Sequence, residues 1–143
     1  MKHKTPFQRF IDAQIPVYVD VIAELSRGRK QSHWMWFIFP QLVGLGQSEK
    51  AVYFSIRSLE EARLYAADPV VGKRLRQCTR IMLEIHGRKI TDILGNTDSL
   101  KFRSSMTLFA LAVPTEPLFV AALEKYFDGK KDTKTTELLS QKS

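Results

Sequence analysis

The sequence is poor in the features that mark several protein classes. A single cysteine, Cys78, excludes an internal disulfide and a zinc site built from cysteines. No apolar run approaches the roughly 20 residues that span a bilayer, and the first residues lead into no signal-peptide core. We therefore expect a cytoplasmic protein with no membrane association.

Linkers and repeats are also missing. No Gly/Ser-rich or low-complexity stretch interrupts the chain, and no internal repeat of roughly 20–50 residues is present. The 143 residues match the size of one domain. We predict that residues 1–143 form a single compact domain, with a core at about 7–139 and flexible ends.

Familiar catalytic and cofactor motifs are absent as well. The three histidines lie far apart and show no HExxH spacing, so the sequence offers no metal site. No phosphate-binding loop is present, and the pair Gly44 and Gly46 lacks the third glycine of a dinucleotide fingerprint. We expect neither a metal nor a cofactor.

Positive charge is what the chain has in excess. Lys and Arg total 22 against 15 Asp and Glu, which gives a formal net charge of +7. This excess favours anionic partners such as nucleotides, nucleic acid or acidic protein surfaces, without choosing among them.

Most of the chain has helical periodicity. Apolar residues recur every three or four positions from about 7 to 26, and Pro16 predicts a kink or restart within that helix. Ser58 and Glu61 have the spacing of a capping box, and Asp68-Pro69 resembles the start of the next helix. We predict an all-α fold of about six to eight helices.

The helix after Asp68 has two contrasting faces. Its apolar face consists of Leu75, Cys78, Met82 and Ile85, of which the first three are predicted to be buried together, and Gly87 should end the helix. The opposite face carries Lys73, Arg76 and Arg80. This basic stripe has the character of a surface that follows a phosphate backbone, but an ordinary solvated helix face looks the same.

A later helix is predicted from Ser99 to Val113, with Asp98 as its cap. It is apolar on nearly all sides and should be central and buried. Lys101 and Ser105 share one face, and a lysine on a buried helix needs an anion or a partner nearby. The alternatives are a lysine that reaches solvent and small hydroxyl residues that only pack. Two more helices should follow, the first reaching Phe127 and the second capped by Asp132.

The segment 28–48 is the other candidate site. His33 lies between a basic turn containing Lys30 and two tryptophans, and its titration range suits acid–base chemistry. Trp36 has the shape to stack on a base. The competing interpretation makes His33 a hydrogen-bonded structural residue and the aromatic run 34–39 part of the core, as strand or helix.

A glycine loop follows the aromatic run. Gly44 and Gly46 allow backbone N–H groups to approach a ligand, and Ser48 stands at a potential helix start. A plain tight turn explains the same residues.

Longer stretches of this sequence resemble a known family. The string Ser32-His33-Trp34-Met35-Trp36-Phe37-Ile38-Phe39-Pro40-Gln41-Leu42-x-Gly44-Leu45-Gly46-x-Ser48 resembles the signature of domain-of-unknown-function family eighteen-ten, an uncharacterised group sometimes mislabelled calpastatin-like. Lys101 with 104–109, and Phe127 with Gly129 and Asp132, extend the likeness to about residues 7–139.

The resemblance implies a mainly α-helical single domain of unusual, non-bundle topology, and it implies no established activity. A shorter likeness concerns Ser48-Glu49 followed by Tyr53. This pattern is similar to a motif style of helical N-glycosidases that process ADP-ribose.

Two hypotheses of function follow. The first is a site for a phosphate-bearing or nucleotide-like small molecule, with or without catalysis. Its candidate acid or base is His33, and its candidate ligand-binding residues are Lys30, Trp36, Gly44, Gly46, Ser48, Lys101 and Ser105. The alternative is an interaction module that binds acidic protein or nucleic acid through basic helix faces, with weak and sequence-independent nucleic-acid binding at most. The sequence leaves the oligomeric state open.

Overall fold

Ten helices, and no strand, make up the part of the chain that the computed structural model describes, residues 5–141. They are α1 Gln8–Gln14, α2 Tyr18–Ser26, α3 Met35–Ile38, α4 Glu49–Tyr53, α5 Leu59–Ala67, α6 Val71–Glu84, α7 Ile90–Leu94, α8 Asn96–Ala112, α9 Pro117–Phe127 and α10 Thr133–Gln141. The predicted all-α class is confirmed. The predicted flexible ends include residues 1–4 and 142–143, which lie outside the described residues.

The number of helices exceeds the predicted six to eight for local reasons. The first predicted helix is split at 15–17, because Pro16 has no N–H to continue the ladder. In addition α3, α4 and α7 are only four or five residues long. Such short helices rarely give a strong periodic signal in sequence.

The aromatic run forms one helical turn, α3, and then becomes extended. Leu42 pairs with Ile56 in an isolated parallel bridge. The N–H of Val43 donates to the carbonyl of Ile56 at 2.7 Å, and the N–H of Ile56 donates to Gln41 at 2.9 Å. The residues between form a closed loop, called here the 43–55 loop, which contains the glycines and α4.

The core is organised around α8, which packs against α5, α7, α9 and α10. Phe102, Met106 and Phe109 share one face of this helix and Leu108 lies on another, and all four are fully buried. The predicted central position of this helix is confirmed. It begins at Asn96 rather than Ser99, so Asp98 lies inside its first turn and does not cap it.

The apolar face of α6 packs as predicted. Leu75, Cys78 and Met82 are all buried, whereas Ile85 follows the end of the helix and is half-buried. Asp68 accepts hydrogen bonds from the N–H groups of Val70 and Val71 at 2.9 Å, so its carboxylate caps the turn that leads into α6. The helix ends at Glu84, three residues before the predicted stop at Gly87.

The topology is a set of mostly short helices around one central helix, not a bundle of long antiparallel ones. Only α6 and α8 exceed 11 residues. Within residues 5–141 no helix is both long enough and apolar enough to cross a membrane.

Candidate functional site

A cleft of about 430 Å³ lies where the 43–55 loop meets α8 and the start of α10. Three separate stretches of chain line it: Gln41, Leu45, Gly46, Gln47, Ser48 and Ala51; Thr97, Leu100, Lys101 and Ser104; and Asp132 and Lys134. The structure therefore brings the two candidate regions of the sequence, the glycine loop and the Lys101 helix, to one place.

The shape of the loop depends on its glycines. Gly44 has a φ of +100°, a conformation that residues with a side chain rarely adopt. Gly46 approaches α4 so closely that an added Cβ would lie 2.6 Å from the Cβ of Ala51. Ser48 caps α4 by accepting a hydrogen bond from the N–H of Ala51 at 3.2 Å. Gly46 and Ser48 line the cleft, whereas Gly44 lies outside its lining and faces Leu138 of α10.

Lys101 reaches the cleft from α8, and its ammonium group makes only long contacts with its neighbours. Its Nζ lies 5.0 Å from the ring centre of Trp36 and 3.7 Å from Oδ1 of Asp98, beyond hydrogen-bond distance. The ring of Trp36 also lies 4.9 Å from the Nζ of Lys50. Trp36, which is half-buried and outside the cleft lining, thus contacts lysine cations where a stacked ligand ring was predicted.

Lys30 is held inside the protein. Its Nζ lies 2.9 Å from Oδ2 of Asp98, donates to the carbonyl of Ser32 at 2.6 Å, and lies 5.1 Å from the ring centre of Trp34. Only 8% of the side chain is exposed. Lys30 does not line the cleft, so the cleft does not support the ligand contact predicted for it.

Glu24 fixes the segment that leads into the aromatic run, and it is not among the predicted site residues. Its buried carboxylate accepts hydrogen bonds from the N–H groups of Gln31 and Ser32, the hydroxyl of Ser32, and Nε1 of Trp34. Burial by itself would raise the pKa of Glu24, but the bonds from Ser32, Gln31 and Trp34 outweigh it and lower the pKa to about 2. One sequence feature indicates that Glu24 is buried: it lies beside Leu25 on the apolar side of α2.

His33 and Ser105 lie outside the cleft lining. His33 is exposed, because its neighbours Ser32 and Trp34 are the residues that turn inward to Glu24. The hydroxyl of Ser105 is fully buried and has no hydrogen-bond partner in the described part of the chain, residues 5–141. The acid–base role of His33 and the ligand contact of Ser105 stay predictions that the cleft does not support.

Ser104, one residue before Ser105, lines the cleft instead. A step of one residue turns a helix by about 100°, which separates the two hydroxyls. The hydroxyl of Ser104 donates to the carbonyl of Leu100 at 3.1 Å, and that of Thr107 donates to Arg103 at 2.8 Å. This is the packing role considered for these residues from the sequence.

Leu100, Asp132 and Lys134 are among the lining residues that were not predicted as site residues. Leu100 is 63% exposed, although α8 is otherwise mostly buried. Asp132 caps α10 as predicted, with Oδ2 accepting from the N–H of Thr135 at 3.0 Å and from its hydroxyl at 2.6 Å. Lys134 adds a second cation. The sequence does not show that the start of α10 packs beside α8.

The family relationship is established by sequence and by structure. The family described as a protein of unknown function (DUF1810) matches residues 4–139. The chain belongs to this family. A crystal structure of the conserved hypothetical protein Rv1873 from Mycobacterium tuberculosis shares 50% sequence identity and a TM-score of 0.92, covering 94% of this chain and 96% of that one. No curated protein matches the chain.

Outside the cleft, the single cysteine of this DUF1810 chain, Cys78, is buried. Burial raises the pKa of the Cys78 thiol to about 12, so the thiol is protonated at neutral pH. Within residues 5–141 no three His, Cys, Asp or Glu side chains are grouped so as to hold a metal ion.

The basic stripe of α6 is interrupted. Arg76 pairs with Glu116 at 2.8 Å and donates to the carbonyl of Ala66. Its guanidinium is therefore engaged within the protein, while Lys73 and Arg80 are exposed. A phosphate backbone that followed this face would meet two exposed cations, Lys73 and Arg80, rather than three.

Proposed function

We propose that the cleft between the 43–55 loop, α8 and α10 binds a phosphate-bearing, nucleotide-like small molecule. The observation that carries the proposal is that Lys101 and Lys134 line the same cleft as the apolar side chains of Leu45, Ala51 and Leu100. Its volume of about 430 Å³ falls within the roughly 300–1,000 Å³ of small-molecule sites.

Lys101 is the principal contact for the phosphate. An ammonium group donates up to three hydrogen bonds. Among residues 5–141 Lys101 has no hydrogen-bonded acceptor, since even its ion-pair partner Asp98 lies 3.7 Å away. Its nitrogen is therefore able to turn from the ring of Trp36 to a ligand oxygen without losing a strong bond. The hydroxyl of Ser48, whose oxygen accepts the capping bond, still has its proton to donate.

Leu100 provides the contact for the non-phosphate part of the ligand. Leu100 is 63% exposed in a concave, partly apolar surface. A flat ring that covers its side chain removes apolar surface from water, which makes the free energy of binding more favourable. Leu45 and Ala51, both half-buried, extend this apolar surface. A base beside a phosphate matches such a mixture of apolar and cationic groups.

The test is binding of AMP, measured by calorimetry and by the rise in melting temperature. We expect Lys101→Ala to weaken AMP binding at least tenfold, which is the typical loss for a hydrogen bond to a charged group. The matched control is Lys131→Ala, which removes the same charge from an exposed position near the cleft but outside its lining.

Three results contradict the proposal. One is the absence of AMP binding at millimolar concentration. Another is an equal loss of affinity in Lys101→Ala and Lys131→Ala, which would indicate only general attraction to a basic protein. The third is undiminished binding in a folded Lys101→Ala variant. Circular dichroism of each variant establishes that it is folded.

A further inference from the structure

We propose that Asp132 makes the cleft select ligands that carry sugar hydroxyls as well as a phosphate. This inference rests on the proposed function and narrows its ligand class to sugar phosphates, including nucleotides with an intact ribose. It follows from the position of a carboxylate inside a cleft whose other charged residues are lysines.

Asp132 lines the cleft together with Lys101 and Lys134, yet among residues 5–141 its carboxylate forms no ion pair. Both side-chain hydrogen bonds that it accepts, from the N–H and the hydroxyl of Thr135, end on Oδ2. The other oxygen, Oδ1, has acceptor capacity left.

The position of Asp132 is fixed at both ends. Its backbone N–H donates to Oγ1 of Thr107 at 2.8 Å, and Thr107 belongs to the buried central helix α8. The bonds from Thr135 hold its side chain at the start of α10. The carboxylate therefore does not swing away when a ligand enters, and its charge acts on every ligand in the cleft.

A fixed carboxylate has opposite effects on the two parts of a sugar phosphate. It repels the phosphate, so it weakens the binding of a bare phosphate group. It accepts hydrogen bonds from hydroxyl groups, and a hydrogen bond to a charged group strengthens binding by roughly tenfold or more. A ligand without the hydroxyl leaves the carboxylate without a donor, and this costs more binding free energy for a charged acceptor than for a neutral one. A carboxylate therefore discriminates sharply between ligands with and without the hydroxyl.

Asp132→Asn separates these two effects with little change to the fold. Asparagine caps helices about as well as aspartate, so the amide oxygen retains the bonds from Thr135. The remaining position becomes an NH₂ group, which is a donor and carries no charge. The variant thus loses both the repulsion of the phosphate and the charged acceptor for the hydroxyl.

The experiment compares AMP with 2′,3′-dideoxyadenosine 5′-monophosphate, which has the same base and phosphate but lacks both ribose hydroxyls. Affinities are measured by calorimetry for the unmodified protein and for Asp132→Asn. We expect the unmodified protein to prefer AMP by roughly tenfold. We expect Asp132→Asn to bind the dideoxynucleotide more tightly than the unmodified protein does, and to lose most of the preference for AMP.

Equal affinities of the unmodified protein for the two nucleotides would overturn this inference and leave the proposed function standing. A full preference for AMP in Asp132→Asn would also overturn it, because another residue would then recognise the hydroxyls. If neither AMP nor the dideoxynucleotide binds, both proposals are overturned. The comparison on the unmodified protein needs no variant, so it decides the matter even if Asp132→Asn is poorly folded.

Discussion

Nε1 of Trp34 donates a hydrogen bond to Oε1 of Glu24 across 3.0 Å, and both side chains are buried. Two backbone N–H groups and the hydroxyl of Ser32 complete the shell of this carboxylate. The buried carboxylate of Glu24 therefore fixes the polar residues Gln31 and Ser32, which precede the aromatic run. In this part of the chain, the residues that resemble a family signature hold the fold together.

The first prediction concerns Glu24→Gln. The amide keeps the size of the side chain but loses the charge that strengthens four hydrogen bonds. We expect the free energy of unfolding at pH 7 to fall by about 2–3 kcal/mol. Urea denaturation checks this value, and a change below about 0.5 kcal/mol would contradict the central role of this carboxylate.

The same residue predicts a pH dependence. Because the pKa of Glu24 is lowered to about 2 in the folded protein, its ionised form contributes stability that is fully present above its ordinary pKa of 4.5. This contribution is lost as the pH falls from about 4.5 to about 2. We expect the stability difference between the unmodified protein and Glu24→Gln to shrink over that interval. A difference that stays constant down to pH 3 would contradict the assignment.

The third prediction concerns Asp98, which lies between Lys30 and Lys101. Asp98→Asn removes the partner of a lysine whose side chain is only 8% exposed, and we expect a loss of about 2–3 kcal/mol in unfolding free energy. It also removes negative charge beside Lys101, so the affinity for AMP should rise. Thermal unfolding and calorimetry measure the two effects, which have opposite signs.

A double variant provides the control for Asp98. In Lys30→Met the buried cation is already gone, so adding Asp98→Asn should cost markedly less than it does alone. Full additivity of the two substitutions would show that the pair at 2.9 Å contributes nothing to stability.

The fourth prediction compares two glycines. An added Cβ at Gly72 would lie 2.3 Å from the carbonyl oxygen of Ala66, so Gly72→Ala forces α5 and α6 apart within the core. We expect a loss of about 1–3 kcal/mol. Gly46→Ala, which clashes only with Ala51 near the surface, should cost less stability but abolish AMP binding. The reverse pattern would contradict the placement of the cleft.

The fifth prediction concerns the thiol of Cys78. The thiol is buried and its pKa is raised to about 12, so a thiol reagent should label it only when the protein opens. Labelling at pH 8 should be many times slower in the native protein than in urea. Rapid labelling of the native protein would mean that α6 is not packed as described.

The helices were predictable where their signals are local. Pro16 breaks the first helix, Ser58 and Asp132 cap later ones, and the apolar sides of α8 predict its central place. The early start of α8 was missed, because Gly95 leads into it with a backbone bond from the N–H of Ser99 and no side-chain cap marks the position.

The site was less predictable, because it depends on contacts between distant segments. Glycine and lysine content indicated the loop and Lys101, and both line the cleft. The contributions of Asp132 and Lys134 depend on where α10 packs, which no local pattern shows. His33 was expected in the site because of its chemistry, but the inward turn of Trp34 toward Glu24 leaves it at the surface.

The bridge between Leu42 and Ile56 closes the 43–55 loop, which forms one wall of the cleft, into a separate unit. Its two backbone hydrogen bonds, at 2.7 and 2.9 Å, fasten both ends of the 43–55 loop. Within the loop, the ring of Phe54 packs against those of Phe10 and Phe37, whereas Gln47 and Ser48 at the tip are exposed. Because lengthening a closed loop adds little entropic cost, insertions and substitutions at this exposed tip can change ligand preference while Gly44, Gly46 and the helical scaffold stay the same.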